Sequence, residues 1–176
     1  MNKAIKTITQ KDFFTERLII GQLDNSSITF IQELTNSEGW LKFIGDRNIH
    51  SPEQAKDYIE KIDKSLTAKY WKVSLKENQI PIGVITLIQR DYLDDLDIGF
   101  AFLPQFSKKG YAYEAAKKIL DEVLPHTDTQ SIYAITLRDN VGSISLLEKL
   151  GLSKKKTLNR DGEVLELYVI TVKSNS

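Results

Sequence analysis

The sequence predicts an α/β (α+β) fold, with a mixed, mostly antiparallel central sheet flanked by helices on both faces. Segments of alternating apolar and polar residues recur along the chain, and each has the length of a strand. Between them lie segments with apolar residues three and four positions apart, as in amphipathic helices. Short turn signals join two pairs of strands directly, which indicates antiparallel hairpins.

The first half of the chain contains a short strand, two helices and a hairpin. ERLIIGQL alternates like a strand, and residues 27–36 follow a helical pattern. The next helix begins at SPEQ, where Ser51 can cap it, Pro52 fits its first position and Gln54 can complete a capping box. WKVSL, ENQ and IPIGVITLIQ predict a hairpin over residues 71–89. The helix at SPEQ carries one apolar stripe, formed by Ala55, Tyr58, Ile59, Ile62 and Leu66.

The second half alternates strands and helices and closes with another hairpin. DLDIGFAF predicts a strand, and LPQFSKKGYAYEAAKKIL predicts a turn followed by a helix. SIYAITL is another strand, and NVGSISLLEKLG is a helix that ends at Gly151. LSKKKTL and EVLELYVITV flank the turn NRDG and form a last hairpin. Since no repeat or low-complexity tract interrupts this order, we expect residues 1–176 to form a single domain.

Composition excludes several classes of function. The 24 basic and 24 acidic side chains cancel, so no overall field attracts nucleic acid or an anionic membrane, and neither is expected as a partner. The absence of cysteine excludes disulfides, thiolate metal sites and a cysteine nucleophile, and we expect no metal. The start MNKAIKTITQ lacks an apolar core, and no later run is long enough to span a membrane. We therefore expect a cytoplasmic protein.

The stretch SKKGYAYEAA marks a helix that starts soon after a strand. The first turn of a helix offers unpaired backbone N–H groups at the positive end of the helix dipole. Lys108 and Lys109 add charge, and Gly110 leaves room for close approach, so this start can form an anion site. Taken alone, a glycine beside two lysines more often marks an ordinary solvated helix start. The strand before it and the asparagine segment after the next strand favour a binding site.

The order of these motifs resembles the GNAT superfamily of acyl-CoA-dependent N-acetyltransferases. The motifs are TERLII, IGDRNI, IPIGVITL, DIGFAFLP, KKGYAYEAA and NVGSISLLEKLGL, and together they span nearly the whole chain. The most specific part is the helix start GYAYEAA, followed about one βα unit later by NVGSISLLEKLG. Within the superfamily the chain is most similar to the RimJ/RimL branch, whose namesakes acetylate the N-termini of ribosomal proteins. The resemblance implies an acetyl-CoA-dependent N-acetyltransferase.

The same resemblance implies that the helix start binds the pyrophosphate of coenzyme A through backbone N–H groups. The family pattern Q/R-x-x-G-x-G/A falls on residues 107–112. It departs from the family at Ser107, which lacks the long polar side chain, and at Lys108, where many relatives carry a glycine. The implied cofactor-binding residues in this loop are Ser107, Lys108, Lys109, Gly110, Tyr111 and Ala112.

Further cofactor contacts are implied for the strand before this helix and for the helix after the next strand. In the family, the strand parts from its neighbour near its end, so Phe102 and Leu103 pair with the pantetheine arm. One backbone N–H there points at the thioester carbonyl. Asn140 is implied to contact the arm, and Ser143 to lie near the sulfur, where it could protonate the leaving thiolate. Asn140 and Ser143 also fit a plain helix cap.

The expected reaction is direct transfer of an acetyl group from acetyl-CoA to a primary amine in a ternary complex. Neither His50 nor His126 lies in a nucleophile–base motif, so a covalent acyl-enzyme has little support. Asp97 begins the strand that the resemblance implies for cofactor binding, and many relatives place a carboxylate or an ordered water near this region, so Asp97 is the candidate for taking the amine proton directly or through water. The run DYLDDLD that contains it is also typical of a solvated turn. The catalytic candidates are Asp97 and Ser143.

The acceptor amine is expected to bind between two segments. In relatives the segment between the first two helices borders the acceptor side, and here it reads EGWLKFIGDRNI. The loop after the second hairpin strand lies opposite. Aromatic residues in such a segment also serve as core. The candidate substrate-binding residues are Trp40, Phe43, Asp46, Arg47, Arg90 and Tyr92.

The chemistry favours an α-amine, of a protein N-terminus or of a small molecule, because an α-amine loses its proton more easily than a lysine side chain. Two alternatives remain open. One is a small-molecule amine acetyltransferase, and the other is a non-catalytic acyl-CoA-binding module. The edge strands of the final hairpin could also pair two copies into a homodimer.

Overall fold

The computed structural model describes Ile5, Ile8 and residues 11–172, and its strands form one eight-stranded sheet. The strands are β1 (Phe13–Phe14), β2 (Leu18–Gln22), β3 (Ala68–Leu75), β4 (Pro81–Gln89), β5 (Leu96–Phe102), β6 (Ser131–Leu137), β7 (Ser153–Arg160) and β8 (Glu163–Thr171). Their order is β1-β2-β3-β4-β5-β6-β8-β7, and neighbours are antiparallel except β5 and β6. The mixed, mostly antiparallel sheet predicted from the sequence is confirmed.

Within residues 11–172, five α-helices cover the two faces of this sheet. They are α1 (Ile28–Thr35), α2 (Glu38–Phe43), α3 (Pro52–Asp63), α4 (Tyr111–Val123) and α5 (Val141–Lys149). Helices α1, α2 and α3 bury apolar residues together with Val84 of β4. Helices α4 and α5 bury theirs in a second cluster with Ile85. Because side chains alternate along a strand, these two residues of β4 point to opposite faces. None of the helices in the described part of the chain is long and apolar enough to cross a membrane.

Some local details differ from the sequence prediction. Ser51 caps α3 as expected, since its Oγ accepts the N–H of Gln54 at 3.2 Å. The Gln54 side chain, however, accepts the N–H of His50 at 2.7 Å and does not complete the box on Ser51. Helix α3 ends at Asp63, so Leu66 does not extend its apolar stripe and is 70% exposed. The strand β1 and the helix α2, of 2 and 6 residues, are too short to show a period in the sequence.

The predicted terminal hairpin forms one outer edge of the sheet. Asp161 and Gly162 join β7 to β8 with φ values of +50° and +81°, as a two-residue type I′ turn requires. The edge strand β7 exposes Lys154, Lys155 and Lys156. A second copy pairing along this edge would bring like charges together, so homodimerisation through it gains no support from the structure.

Strands β5 and β6 separate soon after they meet. Their register contains one aligned pair, Asp97 with Tyr133, although β5 continues to Phe102 and β6 to Leu137. On their other sides β5 stays paired with β4, and β6 with β8, along their lengths. The gap between residues 98–102 and 134–137, which we call the fork, therefore opens two strand edges inside the sheet.

A buried carboxylate ties the last three strands together. Glu166 of β8 is 2% exposed. Its carboxylate lies 2.8 Å from Arg138 Nε, 2.7 Å from Lys154 Nζ and 2.9 Å from Thr157 Oγ1. Hydrogen bonds from Lys154 and Arg138 lower the pKa of Glu166 from 4.5 to about 2. The ionised carboxylate is therefore the form that the fold stabilises.

We predict that Glu166→Gln lowers the melting temperature at pH 7 by roughly 3 °C, because the amide leaves two cations without their carboxylate. Since the pKa of Glu166 is depressed in the fold, its contribution is present above its unfolded pKa of 4.5 and is lost as the pH falls toward 2. In thermal melts between about pH 7 and pH 3, the difference in melting temperature between Glu166→Gln and the parent should shrink below about pH 5. Glu148→Gln, at an exposed position of α5, is the control. A difference that stays constant with pH would contradict the ionic explanation.

Candidate active site

The segment between β5 and α4 turns tightly before the helix begins. Residues Pro104–Phe106 form a 3₁₀ turn, Ser107 is extended, and Gly110 at φ +81° precedes the first helical residue, Tyr111. Lys108 also has a left-handed backbone, with φ +59°, a conformation that costs a non-glycine residue about 1 to 2 kcal/mol. A glycine would adopt it freely. Lys108 therefore stands where many relatives carry a glycine, and its backbone keeps the conformation that glycine favours.

The first turn of α4 presents backbone N–H groups that no side chain caps. Gly110 occupies the N-cap position, so the N–H groups of Tyr111 and Ala112 lack both an intrahelical partner and a side-chain cap. Residues 107–110 are exposed. Among the described residues beyond its immediate chain neighbours, Arg17 Nη2 alone comes within 4 Å of the place of a Gly110 Cβ, at 3.3 Å. This open, cationic surface, which we call the α4 loop (residues 107–112), fits a phosphate group.

The fork turns backbone groups of β5 toward the gap. Leu103 donates its N–H to the carbonyl of Ile82 on β4 at 2.9 Å, and its side chain is buried with α1, α2 and α3. Since backbone groups alternate in direction along a strand, the N–H and carbonyl of Phe102 point into the fork. Of the two strand residues expected at the cofactor, Phe102 has the available N–H, and the N–H of Leu103 is already used.

The start of α5 lies at the open end of the fork, and its N-cap residue Asn140 is three residues beyond the end of β6. Asn140 Oδ1 accepts the backbone N–H of Ser143 at 3.2 Å, so Asn140 caps this helix. Both residues are half-buried. The capping role that the sequence left open is therefore present, and it fixes both candidates relative to the end of β6.

Asp97 lies at the one aligned pair of β5 and β6 and is 3% exposed. Arg90 donates from Nε to Asp97 Oδ2 at 2.6 Å, and the backbone N–H of Ile135 on β6 also interacts with this carboxyl. Burial raises the pKa of Asp97 from 3.8 to about 6, against the lowering effect of Arg90 and Ile135. The apex of the fork thus holds a carboxyl group that changes protonation near neutral pH.

A cleft of about 640 Å³ opens beside Arg90. We call it the acceptor cleft, because Arg47, Arg90 and Tyr92, three of the six acceptor candidates from the sequence, line it. Its other walls come from the end of β4, the loop after β4 and the tip of the last hairpin. These lining residues are Ile88, Gln89, Asp91, Arg160, Asp161, Glu163 and Leu165.

The hairpin tip is a wall of the cleft that sequence reasoning missed. The guanidinium carbon of Arg160 lies 3.7 Å from the centroid of the Tyr92 ring. The same side chain is 3.9 Å from Asp91 and 3.7 Å from Asp161. The NRDG turn is evident in the sequence, but only the order of strands in the sheet brings it to the β4–β5 loop.

Among the described residues, no group of three or more metal-ligating side chains is arranged to hold a metal ion.

The other three acceptor candidates lie elsewhere. Trp40 is 6% exposed and belongs to the core between the sheet and α1, α2 and α3. Phe43 is half-buried under Lys42, whose Nζ is 4.8 Å from the centre of its ring. Asp46 is exposed and accepts the N–H of Asn48 at 2.7 Å, which shapes its own loop. The sequence could not separate core from cleft within this segment, because both use large apolar side chains.

Sequence reasoning also missed Arg17, in the turn between β1 and β2. Its Nη1 donates to the carbonyl of Lys109 at 3.0 Å, and its Nε lies 2.7 Å from Glu114 Oε2. Arg17 belongs to the motif TERLII, but nothing local shows that it reaches a loop 92 positions later. It adds a third cation to the α4 loop.

Known proteins resemble this chain in sequence and in fold. The chain matches the family model for the acetyltransferase (GNAT) domain over residues 17–153, a range that contains the fork, the α4 loop and the start of α5. YnaD of Bacillus subtilis (strain 168), which is described as an uncharacterized N-acetyltransferase, is 26% identical over 162 residues. The alignment covers 90% of this chain and 94% of YnaD.

Solved structures share the fold at lower sequence identity. A putative ribosomal-protein-serine acetyltransferase from Vibrio cholerae has a TM-score of 0.75 at 15% identity, covering 92% of this chain and 98% of that one. Spermidine N-acetyltransferase from Vibrio cholerae, in complex with CoA and spermine, has a TM-score of 0.76 at 17% identity, covering 89% and 96%. Because the family model matches most of its length, the chain belongs to the GNAT family and is an acetyl-CoA-dependent N-acetyltransferase.

Proposed function

We propose that this enzyme acetylates the α-amine of a protein N-terminus by direct attack on acetyl-CoA bound along the fork. The observation that carries the proposal is the fork itself, which opens between the uncapped start of α4 and the start of α5. At its apex Asp97 contacts Arg90, which lines the acceptor cleft. This arrangement offers separate sites to two substrates, as direct transfer in a ternary complex requires.

Two parts of the chain form the cofactor side of the proposed site. When bound, acetyl-CoA supplies the acetyl group as an activated thioester. Backbone N–H groups of the α4 loop hold its pyrophosphate, and Lys108 and Lys109 add charge. The open edge of β5 pairs with the amide groups of the pantetheine arm, as an added strand would. We assign the N–H of Phe102 to the thioester oxygen, where negative charge develops during attack.

The proposed reaction moves one proton from the amine and releases one thiolate. As the nitrogen–carbon bond forms and the carbon–sulfur bond breaks, Asp97 takes the amine proton, directly or through a water. Its position at the apex of the fork and its pKa of about 6 suit a group that is ionised at neutral pH and still accepts a proton. Ser143 is assigned the return of a proton to the thiolate. That step needs little assistance, since a thiol has a pKa of about 8.5.

The charges of the acceptor cleft favour an α-amine over a polyamine. Its lining combines three carboxylates with three guanidinium groups, so the cleft is not markedly acidic, and a polycation would meet like charge. An α-amine with a pKa of about 8 needs roughly 1 kcal/mol to lose its proton at pH 7, whereas a lysine amine with a pKa of about 10.4 needs about 4.6 kcal/mol. A single moderate base such as Asp97 is better matched to the α-amine than to the lysine amine.

An acceptor screen by mass spectrometry tests the proposed acceptor class. The matched pair is a lysine-free peptide with an open N-terminus and a peptide with a blocked N-terminus and one lysine; spermidine and a free amino acid complete the panel. We expect kcat/KM for the open N-terminus to exceed that for the lysine peptide and for spermidine by at least about tenfold. Preference for spermidine or for the amino acid would contradict the N-terminal proposal and support a small-molecule acceptor.

The location of the cofactor site is tested at Gly110. We predict that Gly110→Val raises the Kd of coenzyme A, measured by calorimetry, by at least about tenfold, because a branched side chain occupies the space for the phosphate. Gly162→Val is the control, since Gly162 has the same φ of +81° but lies in the β7–β8 turn. An unchanged Kd in a folded Gly110→Val protein would place the pyrophosphate elsewhere.

The role of Asp97 is tested by Asp97→Asn. We predict that kcat falls by about 10² to 10⁴ at pH 7, while the Kd of coenzyme A stays near that of the parent. The pKa of Asp97 is raised to about 6, so kcat/KM of the parent should fall as the pH drops below 6 and the carboxylate is protonated. The variant should lack this limb and recover partly toward about pH 9.5, where the amine is neutral without a base. Asp121→Asn, on the exposed surface of α4, is the control. Near-parent turnover of Asp97→Asn at every pH would remove this carboxylate from the mechanism.

A further inference from the structure

The carboxylate of Glu114 links the turn between β1 and β2 to the first turn of α4 by hydrogen bonds. Glu114 Oε1 accepts the hydroxyl of Thr15 at 2.5 Å and the backbone N–H of Arg17 at 3.1 Å. Its Oε2 accepts Arg17 Nε at 2.7 Å. These partners are 97 to 99 positions from Glu114 in the sequence. Because three hydrogen bonds converge on one side chain, the turn and the helix start hold a common orientation.

The guanidinium of Arg17 extends from Glu114 along the α4 loop. Its Nη1 donates to the carbonyl of Lys109 at 3.0 Å, and its central carbon lies 4.4 Å from the centroid of the Tyr111 ring. Its Nη2 is 3.3 Å from the place of a Gly110 Cβ. One planar group thus contacts Lys109 and Tyr111 and lies beside Gly110 between them. A guanidinium suits this task because its donors have a fixed geometry, which the flexible ammonium of lysine lacks.

The contact with the Lys109 carbonyl also determines the direction of a neighbouring N–H. The carbonyl of Lys109 and the N–H of Gly110 belong to the same trans peptide unit, so they point in opposite directions. Arg17 holds the carbonyl on its own side, and the N–H of Gly110 therefore points away from Arg17. Without this contact the peptide could rotate, since Gly110 accepts a wide range of backbone angles.

The charges around the loop are balanced better with an anion than without one. Arg17 is ion-paired with Glu114, the acidic residue of the first turn of α4, and Lys108 and Lys109 are two further cations just before the positive end of this helix. Cations at a helix N-terminus are unfavourable unless negative charge is near. A pyrophosphate would supply that charge.

We infer that Arg17 is a positioning residue for coenzyme A. By holding the carbonyl of Lys109, it orients the N–H of Gly110 toward the pyrophosphate. It also brings to the loop a long cationic side chain, which Ser107 does not provide. The inference rests on the proposed function, because it takes the α4 loop as the pyrophosphate site.

Calorimetric titration with coenzyme A and with 3′-dephospho-coenzyme A tests this role. Arg17→Met keeps a long side chain against Tyr111 but removes the donors, and we expect the Kd of both ligands to rise by about tenfold. The KM for acetyl-CoA should rise in parallel while kcat stays within about twofold, because the acetyl group lies at the fork. Arg17→Lys keeps the charge without the planar group. We expect it to reverse less than half of the increase in log Kd that Arg17→Met causes. Lys117→Met, which breaks an exposed pair with Asp121 on α4, is the control and should change neither Kd.

Four outcomes would overturn the inference. The first two are an unchanged Kd in folded Arg17→Met and an equal rise in Kd in Lys117→Met. The others are a parent-like Kd in Arg17→Lys, and a rise in Kd for coenzyme A but not for 3′-dephospho-coenzyme A. If Arg17→Met does not fold, Glu114→Gln gives the second measurement. Glu114→Gln weakens the hydrogen bond from Arg17 Nε and should raise the Kd of coenzyme A by about threefold. An unchanged Kd in this variant also overturns the inference.

Failure of the proposed function would look different. In that case the parent protein would not bind coenzyme A, or Gly110→Val would bind it as tightly as the parent, whatever the Arg17 variants do. A parent that binds coenzyme A and loses it in Gly110→Val, but not in Arg17→Met, would reject the role of Arg17 alone.

Discussion

The carboxyl group of Asp97, buried between two parallel strands, is the constraint on which the geometry of this site depends. In a regular parallel ladder the N–H of Ile135 would bond to the backbone of β5, and a buried N–H left unpaired would be costly. The carboxyl of Asp97 interacts with this N–H instead. Strand β5 can therefore leave β6 without leaving this N–H unpaired, and Arg90 balances the charge that remains. One side chain thus connects the opening of the sheet, strand β5 and the acceptor cleft.

In the proposed site, the two substrates meet different kinds of protein group. The cofactor side consists mainly of backbone, with the N–H groups at the start of α4 and the open edge of β5. The acceptor cleft consists of side chains, including the guanidinium of Arg160 stacked on Tyr92. Backbone donors depend on the course of the chain and tolerate changes in side chain, which explains how Ser107 and Lys108 can depart from the family pattern while the loop keeps its shape.

Local patterns predicted most of the fold and the position of the α4 loop. The helix start near Gly110 and the turn at Asp161 and Gly162 depend on neighbours in the sequence, so their residue types suffice. Contacts between distant segments could not be predicted in this way. The reach of Arg17 to Lys109, the hairpin tip in the cleft and the burial of Trp40 all depend on how strands and helices pack. The choice between the N–H groups of Phe102 and Leu103 needed the register of β4 against β5, which a single strand pattern does not contain.

The turn between β7 and β8 gives this fold a simple route to divergence. It forms a wall of the acceptor cleft with two left-handed residues at an outer edge of the sheet, whereas the fork and the α4 loop lie toward the middle. Changes in the length or charge of this turn leave the buried core and the cofactor groups in place. With the acceptor bound in this cleft, as we propose, a lineage that carries such changes could exchange one amine for another while it keeps the same acetyl donor, so acceptor choice can evolve almost independently of the chemistry.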